Sequence, residues 1–256
     1  MKNRYKKIME LCSEKMTTVE ELVNYFHVSP STIRRDLADL EDKGMITRVY
    51  GGAVIDPDQM IEESNEYKEL SMVREKELIA RYAASLVQDG DIVYIDPGTT
   101  TPRIVKYIGK KNVIIVTQSV DCLNEAKEKN FQVFAAGGYL KRRTNMLIGS
   151  ETIESLSKMH FNIVFLGANG VHPLRGFTCS EEMESALKAC AINRSIKAYI
   201  CIDSSKFNKL TSGKFLDIEE ANVITDRAPE NFDCSRFKEV VFAEEVYRNM
   251  HRRTKG

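Results

Sequence analysis

Ser31, Thr32, Arg34 and Arg35 crowd into the stretch VSPSTIRRDLADLEDKG, residues 28–44. Two hydroxyls and two guanidiniums so close together are donors suited to phosphate oxygens and guanine edges. An arginine held bidentate to a guanine discriminates that base by about 1–3 kcal/mol. The stretch reads as a short helix, and its arginines fall near the N-terminus, where the macrodipole favours acids over cations. The charge is therefore addressed to something outside the helix. The competing reading is a solvated amphipathic helix whose arginines pair with Asp36 and Asp39.

A second set of polar residues follows the apolar runs further along the chain. It comprises Asp96-Pro97-Gly98-Thr99-Thr100, Thr117-Gln118-Ser119, Gly137-Gly138-Tyr139, Gly167-Ala168-Asn169-Gly170 and Asp203-Ser204-Ser205-Lys206. Glycine, hydroxyl, carboxylate and one lysine recur, a mixture suited to a small polyhydroxylated anion. Gly98, Thr99, Thr100 and Thr101 between a strand and a helix would set backbone N–H groups and hydroxyls at a helix N-terminus, an anion site. No GK[ST] follows, so this is not a Walker loop, and GxGxxG is absent. Each piece also has a plainer reading. Thr99 or Thr100 serves as an ordinary N-cap, Lys206 as a surface lysine rather than a phosphate clamp, and Asp96 and Asp203 as caps rather than acceptors for sugar hydroxyls. The glycines serve as tight turns, and Arg142-Arg143 as a solvated pair or a crevice rim.

The elements that must position these residues have two rhythms. Residues 1–46 are helical. Tyr5, Ile8, Met9 and Cys12 repeat at helical spacing, giving a helix over 3–15. Thr18 with Glu21 is the capping-box pattern for a second helix ending near His27, with Val19, Leu22, Val23 and Phe26 as its apolar face. Ser29 caps a third helix with Pro30 in first position; Ile33, Leu37 and Leu40 are its buried face and Gly44 its C-cap. A strand over 46–50, a Gly51-Gly52 turn and a strand over 53–55 complete a winged helix-turn-helix. There Ser31, Thr32, Arg34 and Arg35 occupy the part of a recognition helix that enters the major groove, and Arg48 and Tyr50 on the wing reach the adjacent backbone.

Residues 56–68 are acid-rich, contain Pro57 and lack periodicity, which predicts a linker. A helix over about 70–88 follows. Apolar runs then recur at 92–95, 113–116, 131–135, 163–166, 198–202, 223–224 and 240–242. Helical patterns lie between several of them, clearest at 120–129, 150–158 and 181–195. Near-continuous apolar strands alternating with helices predict a largely parallel sheet covered on both faces. In such sheets ligands sit beyond the carboxyl ends of the strands, where the second polar set stands. The basic stretch 248–256 reads as a frayed end. The domains expected are a DNA-binding domain over 1–55, the linker, an α/β domain over 69–247 and the tail.

Bulk properties exclude other classes. A 256-residue chain with 43% apolar and 29% charged residues is globular rather than disordered. No apolar run spans a membrane, and no apolar segment follows the basic N-terminus, so a cytoplasmic protein is expected. Six scattered cysteines without a CxxC pair read as reduced thiols, neither a disulfide frame nor a zinc site. With four dispersed histidines, neither metal nor cofactor is expected. Formal net charge is zero, and residues 1–55 hold nine Lys/Arg against eight Asp/Glu, a net of +1. DNA binding must come from charge placement, and a non-specific nucleoid role has little electrostatic pull behind it.

SPSTIRRDLADLEDKGMITRVYGGAV resembles the signature of the DeoR-type bacterial transcriptional regulators. The resemblance continues through EKELIARYAASLVQDGDIVYIDPGTTT, VTQS, GGYLKRRT, FLGANG, GFT, IDSSKF and VITD, over nearly the whole chain. It implies a winged helix-turn-helix fused to a sensor similar in fold to ribose-5-phosphate isomerase. It implies a repressor of sugar catabolism that leaves double-stranded operator DNA when a phosphorylated sugar binds. Carried onto matching positions, DNA contacts fall on Ser31, Thr32, Arg34, Arg35 and the wing near Arg48. Effector contacts fall on Asp96, Gly98, Thr99, Thr100, Ser119, Gly138 and Lys206. Pro97, Gln118, Lys68 and Asn162 depart from the common pattern, and the first two point to a different effector from that of better-known members.

The competing class is a sugar-phosphate isomerase with a DNA-binding appendage. Isomerisation needs a carboxylate within reach of a substrate C–H proton, and residues 167–170 carry no ionisable side chain where isomerases of similar fold are acid-rich. No catalytic residue is assigned. A sensor without turnover is expected, working as a homo-oligomer, a dimer or larger, because paired half-sites need paired recognition helices.

Overall fold

A computed structural model of the chain describes residues 2–42, 46–54 and 65–253. The chain divides into two compact units, Met1–Ser71 and Met72–Gly256.

The first unit holds α1 (Lys2–Glu14), β1 (Thr17–Thr18), α2 (Val19–Phe26), α3 (Pro30–Asp42), β2 (Thr47–Val49), β3 (Gly52–Val54) and α4 (Asn65–Leu70). Its core joins Ile8, Met9 and Cys12 of α1, Leu22 of α2, and Ile33, Leu37 and Leu40 of α3 with Ile46 and Ala53. The expected caps form. Thr18 Oγ1 accepts from the Glu21 N–H at 3.1 Å, and the Thr18 N–H donates to Glu21 Oε2 at 2.7 Å. His27 ends α2 in the left-handed region at φ 52°. The Thr32 N–H donates to Ser29 Oγ at 3.3 Å. The wing strands are shorter than expected, because Ile46 turns into the core and Tyr50 sits in the turn. The wing also gains β1: Thr17 and Thr18 pair antiparallel with Ala53 and Gly52, giving the order β1-β3-β2. Two residues are too few to leave a period-2 signal. The Gly44 cap and Ile55 lie outside the described residues. The expected linker is corrected at its end, where α4 begins at Asn65; NEYKEL has good helix formers and neither glycine nor proline.

The second unit opens with α5 (Val73–Ser85). Met72, left-handed at φ 51°, stands at its N-cap, so the helix expected over 70–88 starts later. There follow β4 (Ile92–Ile95), a 3-10 segment Thr101–Tyr107, β5 (Ile114–Thr117), α6 (Val120–Glu128), β6 (Gln132–Ala135), β7 (Tyr139–Lys141), β8 (Met146–Ile148), α7 (Ser150–Ser157) and β9 (Phe161–Leu166). Then come β10 (Gly170–His172), β11 (Gly176–Cys179), α8 (Glu182–Asn193), β12 (Ser195–Cys201), a turn of 3-10 helix Ser204–Lys206, β13 (Gly213–Leu216), β14 (Asn222–Thr225), β15 (Glu239–Phe242) and α9 (Ala243–Arg253).

All seven apolar runs become strands of one sheet in the order β15-β14-β12-β9-β4-β5-β6. Every pairing in it is parallel. Alternate residues feed two cores. Val93, Ile95, Ile115 and Phe165 pack with α5 and α6 on one face. Tyr94, Val116, Val164, Leu166 and Ile200 pack with α7, α8 and the antiparallel sheet β10-β11-β13 on the other. Burial on both faces is why these runs read as continuous rather than alternating.

Three features depart from expectation. The hairpin β7-β8 and the sheet β10-β11-β13 are built from strands of three or four residues amid glycines and polar residues. The segment after Gly98 is 3-10 rather than α-helical, with Pro102 in its first turn. The frayed end at 248–256 is corrected as far as Arg253, since α9 is anchored by buried Ala243, by the Glu244 N–H donating to the Asp226 carbonyl, and by Arg248 against Glu244 at 3.0 Å.

Candidate DNA-reading face and effector crevice

The first unit exposes the start of α3. Arg34, Arg35 and Ser31 are exposed and Thr32 is half-buried. Ser29 Oγ lies 2.9 Å from both Ser31 Oγ and Thr32 Oγ1, so the hydroxyls gather at the helix entrance. The carboxylates that would have neutralised the arginines are claimed by α1. Buried Asp36 accepts from Arg4 Nε at 2.6 Å and Nη2 at 3.0 Å, and Asp39 accepts from the Tyr5 hydroxyl at 2.8 Å. Neither Arg34 nor Arg35 has a hydrogen-bond or ion-pair partner among the described residues. The solvated-pair alternative therefore fails.

On the wing, Tyr50 is fully exposed at the turn. Arg48 is tethered: its N–H donates to Glu41 Oε1 at 3.0 Å, and Nη1 lies 3.5 Å from Glu41 Oε2. A groove of about 650 Å³ runs between α2, the start of α3 and the wing, lined in part by Glu20, Arg34, Leu37, Arg48 and Tyr50. Ser31, Thr32 and Arg35 lie outside its lining.

In the second unit, strand order reverses between β4 and β9, the topological switch point where ligands of open parallel sheets sit. The polar turns after β6, β5, β4, β9 and β12 all leave the same sheet edge, because every strand is parallel. Asp96 at the end of β4 is buried and engaged. Its Oδ2 accepts from the Gly167 N–H at 2.9 Å and from Lys188 Nζ of α8. Burial pushes the Asp96 carboxyl up, against the pull of Lys188 and the Gly167 N–H. Burial also disfavours the Lys188 ammonium, but Asp96, Cys179 and Glu184 hold it above the ordinary lysine value.

Gly98 takes φ +138°. Thr101 Oγ1 donates to the Asp96 carbonyl at 2.7 Å and pins the loop, and Arg103 Nε donates to the Thr99 carbonyl at 2.8 Å. Thr100 makes no side-chain cap, so the capping alternative is not realised there. The Thr99 and Thr100 hydroxyls have no partner among the described residues although both residues are buried. Ser119 Oγ caps α6 by accepting from the Cys122 N–H at 3.2 Å, which leaves its O–H proton to donate. Gln118 Oε1 accepts from the buried Tyr94 hydroxyl at 2.7 Å. Gly138 is held at φ +132°, where a Cβ would lie 2.5 Å from Thr152 Oγ1 and 2.8 Å from the Ile148 carbonyl, so close packing requires glycine. Asp203 Oδ1 accepts from the Ser205 N–H at 3.0 Å and caps the turn. Lys206 in that turn has no ion-pair partner among the described residues.

The structure thus brings Asp96, Gly98, Thr99 and Thr100 into one loop, with Ser119, Gly138 and Lys206 following other strands of the same edge. Sequence reasoning missed Lys188, and also Lys141, whose Nζ lies 2.9 Å from Glu181 Oε1 and 3.1 Å from Glu184 Oε1. Glu184 and Lys188 stand four apart and are buried on α8. A Glu–Lys pair four apart reads equally well as a solvated helix face, so no signal marked these lysines. Among the described residues no group of three or more His, Cys, Asp or Glu could hold a metal ion, and no helix is long and apolar enough to cross a membrane.

The two units make a winged helix-turn-helix and an α/β unit built on a parallel sheet. Residues 4–59 match the DeoR-like helix-turn-helix domain, and residues 71–227 match the DeoR C terminal sensor domain. The chain belongs to the DeoR family of transcriptional regulators: it is a regulator, not an enzyme. It is 38% identical over 225 residues to the uncharacterized HTH-type transcriptional regulator FruR of Bacillus subtilis, covering 87% of this chain and 90% of that one. It is 35% identical over 211 residues to a lactose phosphotransferase system repressor of Staphylococcus epidermidis (80% and 84%). It is 33% identical over 226 residues to the HTH-type regulator GlpR of Haloferax volcanii (87% and 89%). A solved D-ribose-5-phosphate isomerase in complex with phospho-erythronic acid is 15% identical, with 53% of this chain and 54% of that one covered at a TM-score of 0.39, too loose to carry an argument.

Proposed function

We propose that the protein represses a sugar or carbohydrate catabolism operon in the cytoplasm, binding double-stranded operator DNA as a homo-oligomer and releasing it when a phosphorylated sugar occupies the crevice. The observation that carries the DNA half is the pair of exposed arginines at the start of α3 that have no partner among the described residues. Ser31, Thr32, Arg34 and Arg35 are the groove-reading set, and Arg48 and Tyr50 the backbone contacts of the wing. Arg48 would exchange Glu41 for phosphate.

In the crevice, the Thr99 and Thr100 hydroxyls, the backbone at Gly98 and the Lys206 ammonium suit the phosphate end. Asp96, Ser119 and the backbone at Gly138 border the sugar end. The names of the lactose phosphotransferase system repressors among the relatives support a carbohydrate role. Turnover lacks a free base there: Asp96, the carboxylate that ends β4 at the switch point, is held by Lys188 and Gly167 rather than left to take a C–H proton.

Release follows if the phosphosugar favours one sensor conformation, and a tenfold change in operator affinity needs about 1.4 kcal/mol of differential binding. Fluorescence anisotropy on DNA upstream of its own and neighbouring genes, at fixed salt, with triose, pentose and hexose phosphates and the parent sugars, tests this. One sugar phosphate weakening specific binding is the expected result. Operator affinity unmoved by the whole panel would overturn the effector half.

A further inference from the structure

The seven-stranded sheet has two edges, and they differ. At one, β15 is preceded by Lys238, carries Glu239 and runs into α9 with Glu244 and Glu245. Charges of that kind keep an edge strand from pairing with another chain. At the other edge stands β6, and the nine residues 130–138, NFQVFAAGG, contain no charge at all. Gln132, Phe134 and Ala135 are exposed. Val133 packs into the core beside α6, so alternation puts Phe134 on the other face, where it is 42% exposed. The hairpin that follows adds Tyr139 at 73% and Leu140 at 52% exposed. An open strand edge, unguarded and bordered by large apolar side chains, is a template for another strand.

We propose that β6 is the interface between two copies of this chain, paired antiparallel about a two-fold axis. The proposal deepens the homo-oligomer named above and rests on that reading. The electrostatics select the occupant. A two-fold axis brings a strand against itself, so any charge near the axis meets its own sign. The run 130–138 has none to oppose. Opposed residues of an antiparallel pair share a face, so with Phe134 at the axis Phe134 faces its own counterpart, Val133 faces Ala135 and Gln132 faces Ala136. Lys129, the nearest charge on one side, then falls opposite Tyr139 and not opposite its own counterpart. The two Phe134 side chains therefore lie side by side on one face at the axis.

Sedimentation velocity on the full chain at micromolar concentration tests the interface. The wild-type protein is expected to sediment as a dimer or an even-numbered assembly. Phe134→Lys and Phe134→Glu are each expected to weaken self-association about a hundredfold or more, because each sets like charges together. An equimolar mixture of the two should regain the dimer, which a merely structural role for Phe134 would not produce. Exposed Gln132→Lys and Gln132→Glu serve as a second pair should the first lower the melting temperature. A monomeric wild type, variants that assemble like wild type, or a mixture that stays dissociated would each overturn the proposal. So would a monomer that captures extended peptides on this edge. Operator titration of the same samples separates the two readings: a monomer that still binds operator overturns the interface alone, and a dimer without operator binding overturns the DNA reading alone.

Discussion

Arg34 and Arg35 do little for the fold. Neither has a partner among the described residues whose charge its removal would orphan, so Arg34→Ala and Arg35→Ala should each leave the thermal melt within a degree or two of wild type. Each should weaken specific operator binding by about 1–3 kcal/mol in anisotropy titrations. Asp36, two positions on from Arg34, behaves oppositely. It is buried and twice hydrogen-bonded to Arg4, so Asp36→Ala should cost about 2 kcal/mol in urea unfolding and weaken DNA binding only through unfolding. Lys206→Ala separates the sites in another way. Operator affinity without ligand should be unchanged, while release by the sugar phosphate identified in the titration is lost.

At the scale of elements, α2 depends on its reciprocal cap. Thr18→Ala should cost about 1 kcal/mol, read from chemical denaturation. Glu21 gives that cap a pH dependence. The Lys15 ammonium and the Thr18 N–H and hydroxyl hold its carboxyl down at about 2, below the ordinary value of 4.5. A depressed carboxyl stabilises the fold above its unfolded value, and the contribution fades as pH falls from 4.5 towards 2. The melting-temperature gap between wild type and Glu21→Gln should therefore be flat above pH 5 and close below pH 4. The same scale shows what the sequence could reveal. The inner strands of the parallel sheet were legible because they are apolar on both faces, its edge strands β6 and β15 by their short apolar runs, and α2 and α3 because Thr18, Glu21, Ser29 and Pro30 punctuate them. β1, β7 and β8 were not, since two or three residues carry no periodicity. The cations of 248–253 hid α9, whose first residue, Ala243, is buried. In the crevice, the turn residues could be read because they sit beside the strands that present them. Lys188 and Lys141 could not, because α8 and a hairpin bring them there from 92 and 45 positions beyond Asp96.

As a whole, the molecule is two units with separate cores, one built from α1–α3 and the wing, the others from the two faces of the parallel sheet. A fragment of residues 72–256 should thus melt cooperatively by calorimetry and retain sugar-phosphate binding by isothermal titration, with no affinity for operator. The full chain, with zero net charge, should show weak binding to random DNA that salt abolishes early. The uncharged run at the β6 edge bears on the life of the protein at low copy number. If two copies pair there, mass action leaves a dilute population mostly as solitary protomers, each with the uncharged strand Gln132–Ala135 open to any extended chain. Partnerless protomers would then be the seeds of precipitation on dilution or mild heating, and a partner would act as a chaperone as well as a co-reader. Few molecules per cell would mean both a derepressed operon and a shorter-lived protein.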